Sequence, residues 1–248
     1  MDSLAGSTAL VTGAAKRLGR AVALALAEAG ANVVIHYGES RGEAEETGAA
    51  ARQRGVRAWT VRADLADPAE AERLFAAAES AAGPVDAVIN SASIFPPSTL
   101  RDMTAEDLAR NMQVNAVAPF AIGRALAGTG RRGSIVNFLD SAMVHYDAAH
   151  AAYHVSKRTA YTLTRMMALE FAPAIRVNAV APGLILPPPG EDDSFLERMA
   201  SKNPLGRYGS SAGVAEAVLF LLRSDFITGQ TIFVDGGYHL KGSVYGSG

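Results

Sequence analysis

A single α/β domain with a parallel sheet is the fold class this sequence predicts. Short apolar runs alternate with helical patterns along the whole chain, and those runs are apolar almost throughout rather than at every second position. Strands of that kind lie in a parallel sheet covered by helices on both faces. Continuity is the third observation. No linker or low-complexity stretch interrupts the series over 248 residues, a length that buries a substantial core.

Thr8 to Val11 is the first apolar run, followed by Thr12-Gly13 and a helical pattern from Leu18 to Glu28 that Gly30 closes. Asn32 to Ile35 is the second strand, and Ser40 to Arg54 reads as a helix ending at Gly55. Val56 to Val61 is the third strand. Asp67 then serves as an N-cap, with Pro68 at the first helical position. Val85 to Ile89 is the fourth strand, and a long helical region follows Thr104. Ser134 to Phe138, Ile175 to Val180 and Thr231 to Val234 complete the strands, with a helix from Ala148 to Phe171. Pro187-Pro188-Pro189-Gly190-Glu191-Asp192-Asp193 continues neither kind of element and reads as an exposed loop. Loops after strand ends border the ligand crevice of open α/β sheets, so a mobile lid over about 184–205 is expected.

A formal net charge of −2 without a basic stripe argues against a nucleic-acid partner. The chain has no cysteine, which removes disulfides, thiolate metal sites and thiol nucleophiles and fits a reducing compartment. Met1-Asp2-Ser3-Leu4 leads into a strand without a signal-peptide pattern, and no apolar run approaches the ~18 residues of a membrane span. A cytoplasmic protein with no membrane partner is the expectation. His145, His150 and His154 do not repeat a metal-ligand pattern, so no metal is expected. His150 is placed at the substrate pocket and the other two in solvent.

Tyr153 and Lys157 stand one helical turn apart, on one face. An ammonium that close favours ionisation of the phenol, which makes it a usable proton donor or acceptor. Asp140 lies upstream of the pair. Between the first strand and first helix, Thr12-Gly13-Ala14-Ala15-Lys16-Arg17-Leu18-Gly19 offers backbone N–H groups and a positive dipole end to a pyrophosphate. Gly13 permits a tight turn and Gly19 a close helix–strand approach. After the second strand, His36-Tyr37-Gly38-Glu39-Ser40-Arg41 does not begin with an acid. Arg17, Ser40 and Arg41 suit a ribose phosphate, Glu39 opposes one, and the balance favours NADPH over NADH. Asp64 either accepts from the adenine amino group or simply forms a turn.

These motifs combine with Asn90-Ser91-Ala92-Ser93, Val114-Asn115-Ala116, Pro182-Gly183 and Val234-Asp235-Gly236-Gly237. In order and spacing the set resembles the short-chain dehydrogenases/reductases over almost the full length. The resemblance implies a single Rossmann domain, with a doubly wound seven-stranded parallel sheet and helices on both faces, usually assembled as a homotetramer. It also implies cofactor contacts from Leu18, His36, Tyr37, Leu65, Asn90, Ser91, Ala92, Pro182 and Gly183, and from Tyr153 and Lys157. Three departures narrow it. Arg17 replaces the middle glycine of the cofactor turn, Asn90-Ser91-Ala92-Ser93 leads into Ile94-Phe95-Pro96, and Asp140 falls where the family carries its catalytic serine. With these, the chain looks like the pteridine reductase branch, which reduces oxidised or dihydro pterins with NADPH.

The chemistry agrees. An ionised carboxylate within ~4 Å of the oxyanion of a reacting ketone costs a few kcal/mol at a protein-like dielectric. A pterin is reduced at C=N, its nitrogen gains a proton, and its ring carries N–H donors that suit a carboxyl group. The expected roles are therefore proton delivery by Tyr153 and Asp140 and ribose binding by Lys157. The family pattern adds a bend and a proton-carrying water at Asn115. Phe95 would stack on the pterin, with Arg17, Ser93 and Leu184 beside it. Plainer readings make Phe95 a core aromatic, Arg17 a solvated charge and Asn115 a helix-interior polar residue. One rival is a carbonyl reductase acting on a ketone or 3-oxoacyl thioester, with Ser141 brought into register by a bulge. Another is a nucleotide-binding regulator without turnover. Tyr238-His239-Leu240-Lys241 is placed to reach a neighbouring subunit.

Overall fold

The computed structural model describes residues 3–146, 148–188 and 190–241, so Pro189 of the proline-rich loop and the first two residues lie outside the described residues. Seven parallel strands form one sheet: β1 (Thr8–Thr12), β2 (Asn32–Tyr37), β3 (Ala58–Arg62), β4 (Ala87–Asn90), β5 (Gly133–Phe138), β6 (Ile175–Pro182) and β7 (Thr231–Val234). Their order is β3-β2-β1-β4-β5-β6-β7. The winding reverses between β1 and β4, and ligand crevices of open α/β sheets open at such a reversal, outside the carboxyl ends of the strands.

Among the described residues there are eight α-helices: α1 (Arg17–Glu28), α2 (Arg41–Arg52), α3 (Pro68–Ala82), α4 (Ala105–Met112), α5 (Ala118–Gly128), α6 (Ala151–Glu170), α7 (Asp193–Ala200) and α8 (Ser211–Arg223). Successive strand residues point to opposite faces, and the core divides accordingly. Ala9, Val11, Val33 and Ile35 pack under α1, α2 and α8. Leu10, Val34 and Val88 pack under α3, α5 and α6. Helix α1 shows how sequence achieves this. Gly19, Val22, Ala23, Leu26 and Ala27 recur at helical spacing and are all buried. A side chain the size of Leu26 contributes ~1.5–3 kcal/mol on full burial.

Asp67 caps α3, accepting from the backbone N–H groups of Ala69 and Glu70, with Pro68 at the helix start. Two helices are additional to those the sequence predicts, α7 and α8. The long helical region after Thr104 is three pieces, because a π-helical segment, Gln113–Val117, separates α4 from α5. Pro119 lacks the N–H that would bond the Asn115 carbonyl in α-helical register, which accounts for the widening at that turn. Among the described residues, no helix is long and apolar enough to cross a membrane.

Candidate active site

A cleft of ≈ 520 Å³ opens at the carboxyl ends of the strands. Gly13, Arg17, Leu18 and Gly19 line it after β1, and Asp64 and Leu65 after β3. Ser91, Ala92 and Ser93 follow β4, and Pro182 and Gly183 end β6. Asp140, Tyr153 and Lys157 close one end. The sheet thus gathers residues that are far apart in the chain.

At its two glycines the turn after β1 packs backbone against backbone, with no space for a side chain. A Cβ on Gly19 would lie 2.3 Å from the Gly13 carbonyl oxygen, and one on Gly13 would lie 2.9 Å from Ala92 Cα. That cradle of backbone fits the dinucleotide. Gly19→Ala should push α1 off its strand, lower stability by about 1–3 kcal/mol and weaken NADPH binding. Thermal melts with and without NADPH check both effects, and an unchanged melting point overturns the close-packing argument. Arg17 holds a positive φ of 53°, the conformation the family's glycine would take without strain. Its guanidinium donates to the Pro187 carbonyl at 2.7 Å, tying the cofactor turn to the proline-rich loop.

Several expected cofactor residues act behind the cleft. His36 lines it but is 2% exposed. Its Nδ1 accepts from the Gly13 N–H at 3.1 Å, which leaves Nε2 to donate to the Ala63 carbonyl at 3.0 Å. Burial pushes this imidazole down to about 4, outweighing the Ala63 bond and the Asp64 charge. The folded protein therefore binds one proton fewer than the unfolded chain between pH 4 and 6.5. Stability falls as pH drops through that window, by about 3 kcal/mol once both values are passed. Urea melts of wild type and His36→Asn should diverge in slope there; parallel curves would remove the assignment.

Tyr37, Ser40 and Arg41 do not line the cleft, contrary to expectation: the chain turns away into α2, and Arg41 is exposed at the helix start. Lys16 and Arg110 line it instead, with Lys16 paired to Glu43 at 2.7 Å. Asp64 spends one carboxylate oxygen on the Ala66 N–H at 2.9 Å, the turn-forming role. Asn90 is likewise a sheet fastener. Buried at the end of β4, it donates to Asn137 Oδ1 at 2.8 Å.

Asn115 does not reach the cleft either. Its Oδ1 accepts from Ser93 Oγ at 3.0 Å and the Ile94 N–H at 2.9 Å, and its Nδ2 donates to Ile94 O and to Ser156 Oγ, both at 3.0 Å. It fastens the loop after β4 to α6. Phe95, at the end of that loop, is no core aromatic. It is 55% exposed, stacks on His150 with centroids 3.9 Å apart, and meets Tyr153 edge-on at 4.5 Å. Phe95, His150 and Leu184 are not among the residues that line the cleft. Of the histidines expected in solvent, His154 is buried on α6, and His145 is half-buried with Nε2 3.3 Å from the Tyr238 carbonyl.

Asp140, and not Ser141, lies against the phenol. Tyr153 Oη donates to Asp140 Oδ2 at 2.7 Å, while Asp140 Oδ1 accepts from the Ala142 N–H at 2.7 Å and caps a 3-10 turn, Ser141–Val144. Ser141 is 1% exposed and does not line the cleft; a Cβ on Gly183 would lie 3.1 Å from its Oγ. The pull of Lys157 toward a phenolate is outweighed. Its ammonium donates to the Phe138 carbonyl at 2.8 Å and sits 5.6 Å from the Tyr153 ring centroid. Burial, the Asp140 charge and the Asp140 hydrogen bond together raise the Tyr153 phenol well above its usual range. Burial lowers Lys157 to about 8 against the opposing pull of Asp140. Tyr153 is thus held as a proton-bearing acid, the form a reduction consumes.

A proton donor at one end of a cleft shaped for a dinucleotide is what hydride chemistry requires, so fold and site define a dinucleotide-dependent oxidoreductase. Known proteins narrow the class. The family described as enoyl-(acyl carrier protein) reductase matches residues 13–239. The L-xylulose reductase of Mesocricetus auratus is 38% identical over 246 residues, 95% of this chain and 97% of that protein. A short-chain type dehydrogenase/reductase of Picea abies is 34% identical, covering 94% of this chain and 93% of its own. The FolM alternative dihydrofolate reductase 1 of Brucella canis, complexed with NADP, superposes with a TM-score of 0.90 at 31% identity over 98% of each chain. The chain belongs to the short-chain dehydrogenase/reductase family.

Proposed function

We propose that this protein is an NADPH-dependent pterin reductase, with Tyr153 and Asp140 supplying the proton. The observation that carries the proposal is the 2.7 Å bond from Tyr153 Oη to Asp140 Oδ2. NADPH, when bound, supplies hydride to the C=N carbon. The neighbouring ring nitrogen then needs a proton, and the buried phenol holds one at the end of the cleft. The carboxyl group of Asp140 accepts from ring N–H donors, or passes a proton on as the phenol gives up its own. Lys157, fixed on the Phe138 carbonyl, presents a cation to the ribose side of the cleft. Arg17 and Lys16 at its rim offer positive charge to the cofactor phosphates, taking over the role expected of Ser40 and Arg41. Phe95 gives a flat substrate an exposed ring edge or face beside Tyr153.

The Brucella canis structure is described as a dihydrofolate reductase, which supports a pterin-like substrate. The L-xylulose reductase likeness supports the rival, reduction of a carbonyl. With Ser141 buried away from the cleft, that rival lacks the hydroxyl donor it calls for. An NADPH-oxidation assay with dihydrobiopterin, dihydromonapterin and dihydrofolate beside a ketone and ketose panel decides between them. Turnover of ketones alone overturns the pterin reading, and tight NADPH binding without any turnover favours the regulator. Residues 184–205, tethered through Arg17 and Pro187, are the proposed substrate lid. A homotetramer in the cytoplasm remains the proposed setting, checked by light scattering and cell fractionation.

A further inference from the structure

Asp140 lies where the chain has left β5, and little of its local structure is self-supporting. The 3-10 turn that follows is four residues long, held by Met143 N–H to the Asp140 carbonyl at 3.1 Å and His145 N–H to the Ala142 carbonyl at 2.9 Å. Such turns have poor hydrogen-bond geometry and do not stand alone. Three contacts from two adjacent residues of α6 bracket it. On the upstream side Lys157 holds the Phe138 carbonyl at 2.8 Å. On the downstream side Arg158 Nε donates to the Met143 carbonyl and Nη2 to the His145 carbonyl, both at 2.8 Å. The Tyr146 ring covers the guanidinium at 4.3 Å. The same helix carries Tyr153, so the phenol and the clamp on its carboxylate partner move together.

We propose that Arg158 is a positioning residue: by holding the Met143 and His145 carbonyls it fixes the turn that carries Asp140 against Tyr153. The planar fork of the guanidinium spans two carbonyls with defined directions, which a lysine ammonium does not reproduce. Within the turn, Asp140 Oδ1 accepts from the Ala142 N–H at 2.7 Å, and from outside it His145 Nε2 approaches the Tyr238 carbonyl at a longer 3.3 Å. The catalytic half of the proposal rests on the reading that Tyr153 and Asp140 deliver the proton; the structural half does not.

Two readouts separate the halves. Ultraviolet difference titration follows tyrosine ionisation in the protein without substrate. It is performed in a Tyr146→Phe background, because Arg158 lowers the Tyr146 phenol and would confuse the signal. Subtracting the Tyr153→Phe curve isolates Tyr153. In Arg158→Ala the carboxylate is no longer held beside the phenol, so Tyr153 should ionise at lower pH than in wild type. With a reducible substrate, kcat should fall about 10²-fold for a displacement near 1 Å, with KM for NADPH unchanged within about 2-fold. Arg158→Lys should recover part of both effects. If Arg158→Ala does not fold, Arg158→Gln carries the same test, since its carboxamide cannot span both carbonyls. A folded variant whose Tyr153 titration matches wild type overturns the proposal. A shifted titration with unchanged kcat keeps the clamp and overturns the proton-delivery reading instead.

Discussion

Tyr153→Phe is expected to lower kcat for NADPH-dependent reduction by about 10³-fold, within the 10²–10⁴ that positioned acid–base groups contribute. The substitution removes one oxygen from a ring that is otherwise packed against Phe95 and carried on α6. The fold should persist, because the atom lost is the donor of a single hydrogen bond, to Asp140. The change also frees the carboxylate of its partner without enlarging the cleft appreciably. KM for NADPH should move little, since the backbone cradle around Gly13 and Gly19 is untouched. Stopped-flow reduction separates hydride transfer from release. Retention of more than a tenth of wild-type kcat would remove Tyr153 as the principal acid.

The second large effect belongs to Asp140. Asp140→Ala removes both the acceptor of the Tyr153 proton and the cap on the following turn. Loss of the cap alone costs about 1 kcal/mol of stability, whereas loss of the relay should cost about 10²-fold in pterin turnover. Two of the three causes that raise the Tyr153 phenol are its charge and hydrogen bond with Asp140, so the phenol should ionise at lower pH in the variant. The alkaline limb of the kcat profile then moves down in pH, since the proton-bearing form disappears earlier. Asp140→Ser is the sharper comparison. It restores a neutral donor beside the phenol and removes the few kcal/mol of repulsion a carboxylate imposes on a ketone oxyanion. Ketone turnover should rise relative to pterin turnover, and unchanged selectivity in that variant would detach Asp140 from substrate choice.

Much of the framework was legible in the chain because its signals are local. The apolar runs became strands, Asp67-Pro68 opened a helix, and the glycine turn after β1 lies at the cleft. Helix α8 carried a readable signal too. Ser210 caps it, and Val214, Ala215, Val218, Leu221 and Leu222 repeat at helical spacing. Lys16 and Arg110 were harder to find, since charged residues on helices are ordinarily solvated and only the fold turns these two toward the cleft. Asn90 and Asn115 show the converse. Their motif positions were visible, yet both point into buried networks that fasten strands and helices behind the site.

By itself, the sequence determined the order of elements, the place of the cofactor turn and the pairing of Tyr153 with Lys157 along one helix, all of which depend on spacing within a few residues. Tertiary structure alone decided three things. Asp140 rather than Ser141 meets the phenol, because the 3-10 turn directs one side chain to the cleft and the other into the core. Tyr153 keeps its proton, because burial and a carboxylate brought from thirteen residues away outweigh the nearby ammonium. His36 became a brace beneath Gly13, because its ring is enclosed between β1 and β3, with one nitrogen spent on each side. Burial and approach across the sheet set proton positions, and neither is encoded at any single place in the chain.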